Sequence, residues 1–437
     1  MLRLHNSLTK RIDNFEPITP GTVRMYVCGP TVYGDIHLGN ARPVVFFDVL
    51  RRYLEHTGLD VTYASNITDV DDKIINKAQE TGVDARDLAK EYTRRFFDMT
   101  EALGSDVPEL TPRATQYIPG MIAYIEDLVR DGYAYQRPSG VYFRVSKVGD
   151  YGLLSGQDMD ALDQGVRIEL ESGKEDPRDF SLWKTTDEGL AFDSPFGRGR
   201  PGWHTECAVM NHDLFDGEID IHGGGSDLKF PHHENEIAQT MAHDHHHLAR
   251  VWMHVGRLDM DNVKMSKSLG NVVLVKDLLK TTDPLAFRML LVGHHYRQPI
   301  HYSDTLMDQF EAEYSRIRRT LKKTVLALTV SKTPMGQPDT DLLARFSTHM
   351  DDDMNTPNVI TLIQEIMKSI NKTKDHAKLA ELYVTARTIL TVLGLMPDVT
   401  LEDETLMTFM AWDEARKARD FHSADKYREI LTREGWI

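Results

Sequence analysis

The chain has 437 residues, 41% of them hydrophobic and 27% charged, with a formal net charge of −16. That length supplies two to four domains with ample cores, and the composition is that of a soluble globular protein. The acidic total excludes generalised nucleic-acid binding, although a local basic face remains possible because affinity follows the patch. No stretch approaches about 18 apolar residues and the N-terminus M-L-R-L-H-N-S-L-T has no signal-length apolar run, so the expectation is a cytoplasmic protein without membrane spans. Only two cysteines occur, Cys28 and Cys207. In a cytosolic enzyme such thiols point to a ligand or reactive role more than to a disulfide.

The run 23–27 is short, β-rich and closed by Gly29-Pro30, which predicts a buried strand. Residues 26–40 read Y-V-C-G-P-T-V-Y-G-D-I-H-L-G-N, and the apolar segment 44–55 that follows predicts a buried helix. A strand that ends in a glycine-containing loop and opens a helix makes an anion site, because unpaired N–H groups and the helix dipole point into the loop. His37 can donate to a phosphate oxygen there, and Gly39 lets a flat ligand approach the backbone.

A second strand is expected at 61–65, and a helix opened by 66–72 runs to about 80, with Thr68 the N-cap candidate. Acids at 69, 71 and 72 read as first-turn residues, not as a metal site. Strand, helix, strand, helix predicts a parallel sheet covered by helices. Residues 105–200 read as an insertion, with a helix at 115–130 and a strand at 141–145, into a split α/β domain made of 1–104 and 201–255.

The α/β pattern resumes with a helix from 203 to about 214, a strand at 219–222, a helix at 231–242 and a strand at 251–255. Three glycines, Gly223 to Gly225, then let the backbone lie against a ligand, with Gly224 in contact and Asp227 accepting from a ribose hydroxyl. The run H-D-H-H-H at 243–247 reads as a solvated helix terminus. Residues 256–304 form a linking domain bearing a polar loop, K-M-S-K-S at 264–268. There Lys264 and Lys267 can neutralise charge developing on a triphosphate, with Ser266 between them. Helices are expected at 305–329, 340–350, 357–371, 376–393, 403–418 and 422–434. They divide into a bundle, 305–400, and a short C-terminal region, 401–437.

Beyond these local readings, the strings Y-V-C-G-P-T-V-Y at 26–33, N-I-T-D-V-D-D-K-I-I at 66–75, G-R-P-G-W-H-T-E-C at 199–207, H-G-G-G-S-D-L-K-F-P-H-H-E-N-E at 222–236, K-M-S-K-S-L-G-N at 264–271 and M-D-D-D-M-N-T-P at 350–357 occur in order. Together they resemble the class I aminoacyl-tRNA synthetases and, within them, the cysteinyl-tRNA synthetase family, over nearly the whole chain. The resemblance implies a Rossmann-like catalytic domain with an inserted connective segment, followed by an all-α region. It implies ATP-dependent activation of L-cysteine, with Mg2+, and transfer to cysteine tRNA by a monomer.

It also implies one Zn2+ held by Cys28, Cys207, His232 and Glu236. The sequence itself supports this only in part, through the four-residue spacing of His232 and Glu236 and the suitability of such donors for zinc. The same resemblance places Thr68, Trp203 and His222, with Cys28, around the amino acid. His37, Gly39, Asn40, Gly224, Asp227, Lys264, Ser266 and Lys267 fall around ATP, and His37, Asn40, Lys264 and Lys267 act in catalysis. Asn40 stands where many relatives end this motif with histidine, so it keeps a donor but no titratable group.

Basic residues Arg316, Arg318, Arg319, Lys322 and Lys323, and Arg416, Lys417, Arg419, Lys426 and Arg428, are expected to meet tRNA phosphates. The sequence stops at Gly435-Trp436-Ile437, short of the segment that relatives usually carry, so 401–437 is read as a shortened anticodon-binding part. Two rival readings are a cysteine ligase of the mycothiol pathway and a non-catalytic synthetase-like protein. The long helical tail and the intact H-L-G-N and K-M-S-K-S strings speak against them.

Overall fold

The computed structural model describes residues 1–156, 173–260, 263–264 (backbone) and 272–437. These form two compact units, Met1–Leu278 with Tyr296–His301, and Leu279–His295 with Tyr302–Ile437.

The first unit is built on a four-stranded parallel sheet in the order β10-β9-β3-β4. Its strands are β3 (Thr22–Val27), β4 (Asp60–Ser65), β9 (Ile219–Gly225) and β10 (Ala249–Val255). Most residues of β3, β9 and β10 are buried, and most of those are apolar or glycine, as a helix-covered parallel sheet requires; Asp220, His222 and His254 are buried polar exceptions. A small antiparallel pair, β1 (Arg3–Asn6) and β2 (Arg11–Asn14), precedes them.

Helix α1 (Leu38–His56) starts earlier than its apolar stretch suggests, because the chain turns helical directly after His37 and tolerates Pro43 inside. Helix α2 (Asp72–Thr81) is capped by Asp71, whose carboxylate accepts from the Lys73 N–H, so Thr68 is not the cap. Thr68 is fully buried instead. Asp69 accepts from the Thr115 N–H and hydroxyl, and Asp72 pairs with Lys184 and Arg200. The three acids therefore serve structure, Asp71 as a local cap and Asp69 and Asp72 through partners distant in sequence.

Between α3 (Ala85–Ala102) and the return of the parallel sheet come α4 (Ile118–Arg130) and an antiparallel sheet. Its strands are β5 (Ala134–Arg137), β6 (Gly140–Phe143), β7 (Phe180–Thr185) and β8 (Gly199–Pro201). Strands β7 and β8 lie where the sequence showed little periodicity, since they are short and β7 pairs with β6 from well upstream in the chain. Helices α5 (Trp203–Phe215) and α6 (Glu234–His243) then flank β9, and α6 is entered through a wide turn, Lys229–His233. Strand β11 (Leu258–Met260) pairs with β12 (Val263–Lys264), setting the Lys264 backbone opposite Asp259. A single helical turn, α7 (Val275–Leu278), closes the unit's main run.

The second unit is helical: α8 (Pro284–Val292), α9 (Asp304–Val330), α10 (Thr340–Met350), α11 (Thr356–Lys372), α12 (His376–Val392), α13 (Asp403–Ala418) and α14 (Phe421–Arg433). Caps mark most starts, with Ser303, Asp339, Asn355, Asp375 and Asp420 each accepting from a first-turn N–H. Its core holds a buried guanidinium, Arg288, whose Nε donates to the Leu393 carbonyl at 2.8 Å. Among the described residues no helix is long and apolar enough to cross a membrane.

Candidate active site and metal centre

Strand β3 delivers Cys28 just past its end, where the Cys28 N–H donates to the Gly223 carbonyl at 3.0 Å. The turn that follows needs glycine. A Cβ on Gly29 would sit 1.7 Å from the Asn66 carbonyl oxygen, while the Gly29 N–H donates to Asn66 Oδ1 at 2.8 Å. Cys207 enters from α5, His222 from β9, His232 from the wide turn and Glu236 from the first turn of α6.

These side chains converge. Cys28 Sγ lies 3.5 Å from Cys207 Sγ, 3.3 Å from Glu236 Oε1 and 3.5 Å from His222 Nε2. His232 Nε2 lies 3.0 Å from Glu236 Oε1 and 3.7 Å from Cys207 Sγ, and His222 Nε2 is 3.0 Å from Glu236 Oε2. Two overlapping sets could hold a metal ion: Cys28, Cys207, His232 and Glu236, or Cys28, His222, His233 and Glu236. The first fits zinc better. A tetrahedral ion at about 2.0–2.3 Å from N, O and S donors separates those donors by about 3.3–3.8 Å, close to the spacings found. The second set offers one thiolate in place of two; there His233 Nδ1 meets His254 Nε2 at 2.9 Å, as His232 Nδ1 meets His204 in the first, and His254 Nδ1 in turn meets Ser7 Oγ.

Electrostatics agree with a cation's seat. Glu236 is fully buried, which disfavours its charge, yet His222 and His232 hold its carboxyl well below the usual range. Burial likewise opposes charge on His232, but Glu236 and Cys207 raise it to about 10. Burial pushes the Cys28 thiol up, whereas hydrogen bonding with Cys28 and His232 outweighs burial at Cys207 and pulls it to about 6. An ion in place of the protons on Cys28 and His232 would leave every donor in its ligating form.

Neighbours orient the set. Trp203 stacks on His232 with ring centroids 4.1 Å apart, and His204 Nδ1 lies 2.9 Å from His232 Nδ1, fixing the imidazole from behind. Tyr26 stacks on His222 at 5.4 Å. Thr68 donates to Glu206 Oε2 at 2.6 Å, and Glu206 is itself completely buried. His204, Glu206 and His254 are not singled out by the sequence, where a lone buried histidine or glutamate carries no periodic signal, and His233 can be told from His232 only by the family resemblance.

A cavity of about 660 Å3 opens beside the thiols, lined by Cys28, His37, Gly39, Asn40, Trp203 and Asp227 among others. His37 folds back over Gly39, where a Cβ would stand 3.0 Å from the imidazole. Asn40 Oδ1 accepts from the His37 N–H at 3.1 Å, closing the first turn of α1 as a cap. The chain past the polar loop is zipped to this turn: Leu38 N–H donates to the Val273 carbonyl, Val275 N–H to the Ile36 carbonyl, and Lys276 pairs with Asp35 at 2.6 Å.

The three glycines of β9 differ from expectation. A Cβ on Gly223 would meet the Phe47 ring, one on Gly224 would meet Leu228 and His233, and one on Gly225 would meet Asp227. They make room for the protein's own side chains, and Gly225 with Asp227, not Gly224, reaches the cavity wall. The side chains of Lys264, Ser266 and Lys267 lie outside the described residues. In the helical unit a second cavity, about 440 Å3, is lined by Arg318, Arg319, Lys322 and Arg433 together with Asp283, Asp398 and Glu434.

Residues 14–312 match the model of the tRNA synthetases class I (C) catalytic domain, and residues 345–397 match the DALR domain. Over 439 residues, and the full length of both chains, the protein is 50% identical to a cysteine–tRNA ligase of Acholeplasma laidlawii. The chain belongs to the cysteine–tRNA ligase family of class I aminoacyl-tRNA synthetases. Another member of the family, from Onion yellows phytoplasma, is 46% identical over 438 residues, again spanning 100% of each chain. Among solved structures, Mycobacterium tuberculosis methionyl-tRNA synthetase in complex with methionyl-adenylate aligns with a TM-score of 0.62 at 17% identity. That match covers 92% of this synthetase and 96% of the other chain, and the likeness is one of fold.

Proposed function

We propose that the protein joins L-cysteine to cysteine tRNA in two steps. In the first, a cysteine carboxylate oxygen attacks the α-phosphorus of ATP and pyrophosphate leaves, giving cysteinyl-adenylate. In the second, the 2′-hydroxyl of the tRNA's terminal adenosine attacks the acyl carbon and AMP leaves.

The observation that carries the reading is the meeting of Cys28 and Cys207 with His232 and Glu236, behind a cavity that Cys28 lines together with His37, Gly39 and Asn40. Cys28, Cys207, His232 and Glu236 hold the zinc. Bound there, zinc supplies a soft Lewis acid that favours a thiolate over a hydroxyl, which separates cysteine from serine without an editing site. Trp203 and His222 orient the metal-binding side chains, Trp203 bounds the amino-acid side of the cavity, and Thr68 braces the site from behind through Glu206. His37 and Asn40 place donors at the positive end of α1, where the α-phosphate charge develops. Asp227 takes a ribose hydroxyl, Gly39 admits the nucleotide, and Gly224 shapes the strand end from behind. Lys264 and Lys267, with Ser266 in the same loop, neutralise the leaving pyrophosphate, which Mg2+ accompanies. The basic residues of α9 and α14, Arg318, Arg319, Lys322 and Arg433 among them, meet tRNA phosphates.

The test is cysteine-dependent exchange of pyrophosphate into ATP, run with cysteine against serine, with zinc removed and then restored. Exchange with cysteine alone, lost and regained with the metal, is the expected result. Exchange that is indifferent to zinc or to serine sinks the assignment.

A further inference from the structure

The far ends of the two helices that carry Cys207 and Glu236 meet at a second cluster. His212 lies in the last turn of α5, His243 is the last residue of α6, and Asp244 follows it. His212 Nδ1 is 2.9 Å and His243 Nδ1 2.6 Å from the same oxygen, Asp244 Oδ1. One nitrogen from each imidazole and one carboxylate oxygen all lie within 4.8 Å of one another.

Two further contacts have the form that metal ligands require. The other nitrogen of His243, Nε2, faces Asp127 Oδ2 of α4 at 3.4 Å, the carboxylate–histidine arrangement that sets the tautomer of a ligating imidazole. The His243 ring is also held flat against Tyr124, with centroids 3.8 Å apart. The Asp244 and His243 side chains are 8% and 14% exposed and that of His212 is 41% exposed, so the cluster is shielded on one side and open to an entering ion on the other. An ion held tetrahedrally by such donors sets them about 3.3 Å apart, so the present spacing needs to widen by only roughly half an ångström.

We propose that His212, His243 and Asp244 form a second metal site for a divalent first-row transition ion such as Zn2+, Co2+ or Ni2+, completed by solvent. Nitrogen and oxygen donors without sulfur suit these ions over Mg2+ or Ca2+. The site staples the C-terminal ends of α5 and α6 at about 7 Å along α5 from Cys207 and about 10 Å along α6 from Glu236. It thereby limits how far those two donors can drift apart. The histidine run that reads in the sequence as a solvated terminus thus contributes its first two residues to a built cluster, through partners on α4 and α5 that lie far away in sequence.

Cobalt separates the two sites, because a thiolate-ligated ion gives an intense near-ultraviolet band and one bound only by nitrogen and oxygen does not. The metal-free full chain is dialysed against Co2+ and its metal content and absorption are measured. Two cobalt ions per chain are expected, falling to one in His212→Gln and in Asp244→Asn with the thiolate band unchanged, while His245→Gln keeps two. His212 is exposed enough for its replacement to fold. A wild-type chain that binds one cobalt with the thiolate band overturns the proposal, as do two ions that both variants retain; the cluster is then a hydrogen-bonded helix tie. One cobalt without the thiolate band, lost in His212→Gln, supports this site and defeats the zinc reading instead.

Discussion

Gly223 tests how tightly the catalytic helix is seated on the sheet. It lies in β9 opposite Val27 and Met253, and a Cβ there would come within 2.1 Å of Phe47 Cζ and 2.5 Å of its Cε1. Carbon atoms rest comfortably at about 3.5–4.0 Å, so the ring or the strand must yield by roughly 1.5 Å. Phe47 is completely buried and edge-packed on Phe46 at 5.0 Å, so it has no free space to enter. Gly223→Ala should therefore cost near the upper end of overpacking, about 3 kcal/mol, which lowers Tm by roughly 6 °C in a unit of this size. Because Phe47 is on α1, the same push displaces the turn that carries His37 and Asn40. A shift of about 1 Å there lowers the exchange rate by about 100-fold. Trimming the ring gives the decisive control: in Gly223→Ala/Phe47→Leu the loss should fall short of the sum of the single losses by at least about 1 kcal/mol. Calorimetry of the four proteins checks this. A Gly223→Ala melt within a degree of wild type, or strictly additive losses, would refute the account of this glycine.

Three more outcomes are expected. Burial opposes charge on Asp35, but Lys276 and Arg95 hold its carboxyl below the ordinary value. Its contribution is therefore present above about pH 4 and disappears as pH falls through the lower folded-state value. Asp35→Asn should cost under about 1 kcal/mol at pH 7, since both partners are well exposed. Melting curves at pH 7 and pH 3 should show that gap closing, and a gap that persists in acid excludes the pairing. Thr68→Val strips the buried Glu206 carboxyl of its donor at a cost of about 1–3 kcal/mol, and should raise KM for cysteine while leaving KM for ATP unchanged. Equal changes in both constants, or none, count against it. Glu236→Gln keeps the shape but not the charge. It should weaken zinc by more than the roughly 10–100-fold that loss of a supporting group costs, measured by chelator competition; an unaltered affinity removes Glu236 from the ligand set.

Local signals were the readable ones. The strand ending at Cys28, the turn at His37 and the long helices of the second unit follow from apolar periodicity and caps, and their observed bounds differ by few residues. What failed depended on contacts distant in sequence. Thr68 has the right chemistry for a cap, yet Glu206 claims its hydroxyl and Asp71 caps the helix. Gly223 and Gly224 read as a ligand's approach, and the structure adds that they also spare Phe47 and His233; a sequence does not show which neighbour a missing side chain spares. His232 and Glu236 meet as their spacing suggests, although His232 stands on a wide turn and not on the regular helix. The pairing of Cys28 with Cys207 had no local signal at all and came from family resemblance.

The register of the central sheet also bears on how the chain is made. Met25 pairs with Ile221 and Val27 with Gly223, so the middle of the sheet joins strands separated by about 200 residues. On a ribosome that separation amounts to roughly 10–40 s of synthesis. Throughout that interval β3 and β4 present an unzipped edge to solvent, which invites pairing with foreign strands. Until Cys207 is made such a chain offers only one thiol, and Cys28, Cys207, His232 and Glu236 can come together only after more than half of the polypeptide has emerged.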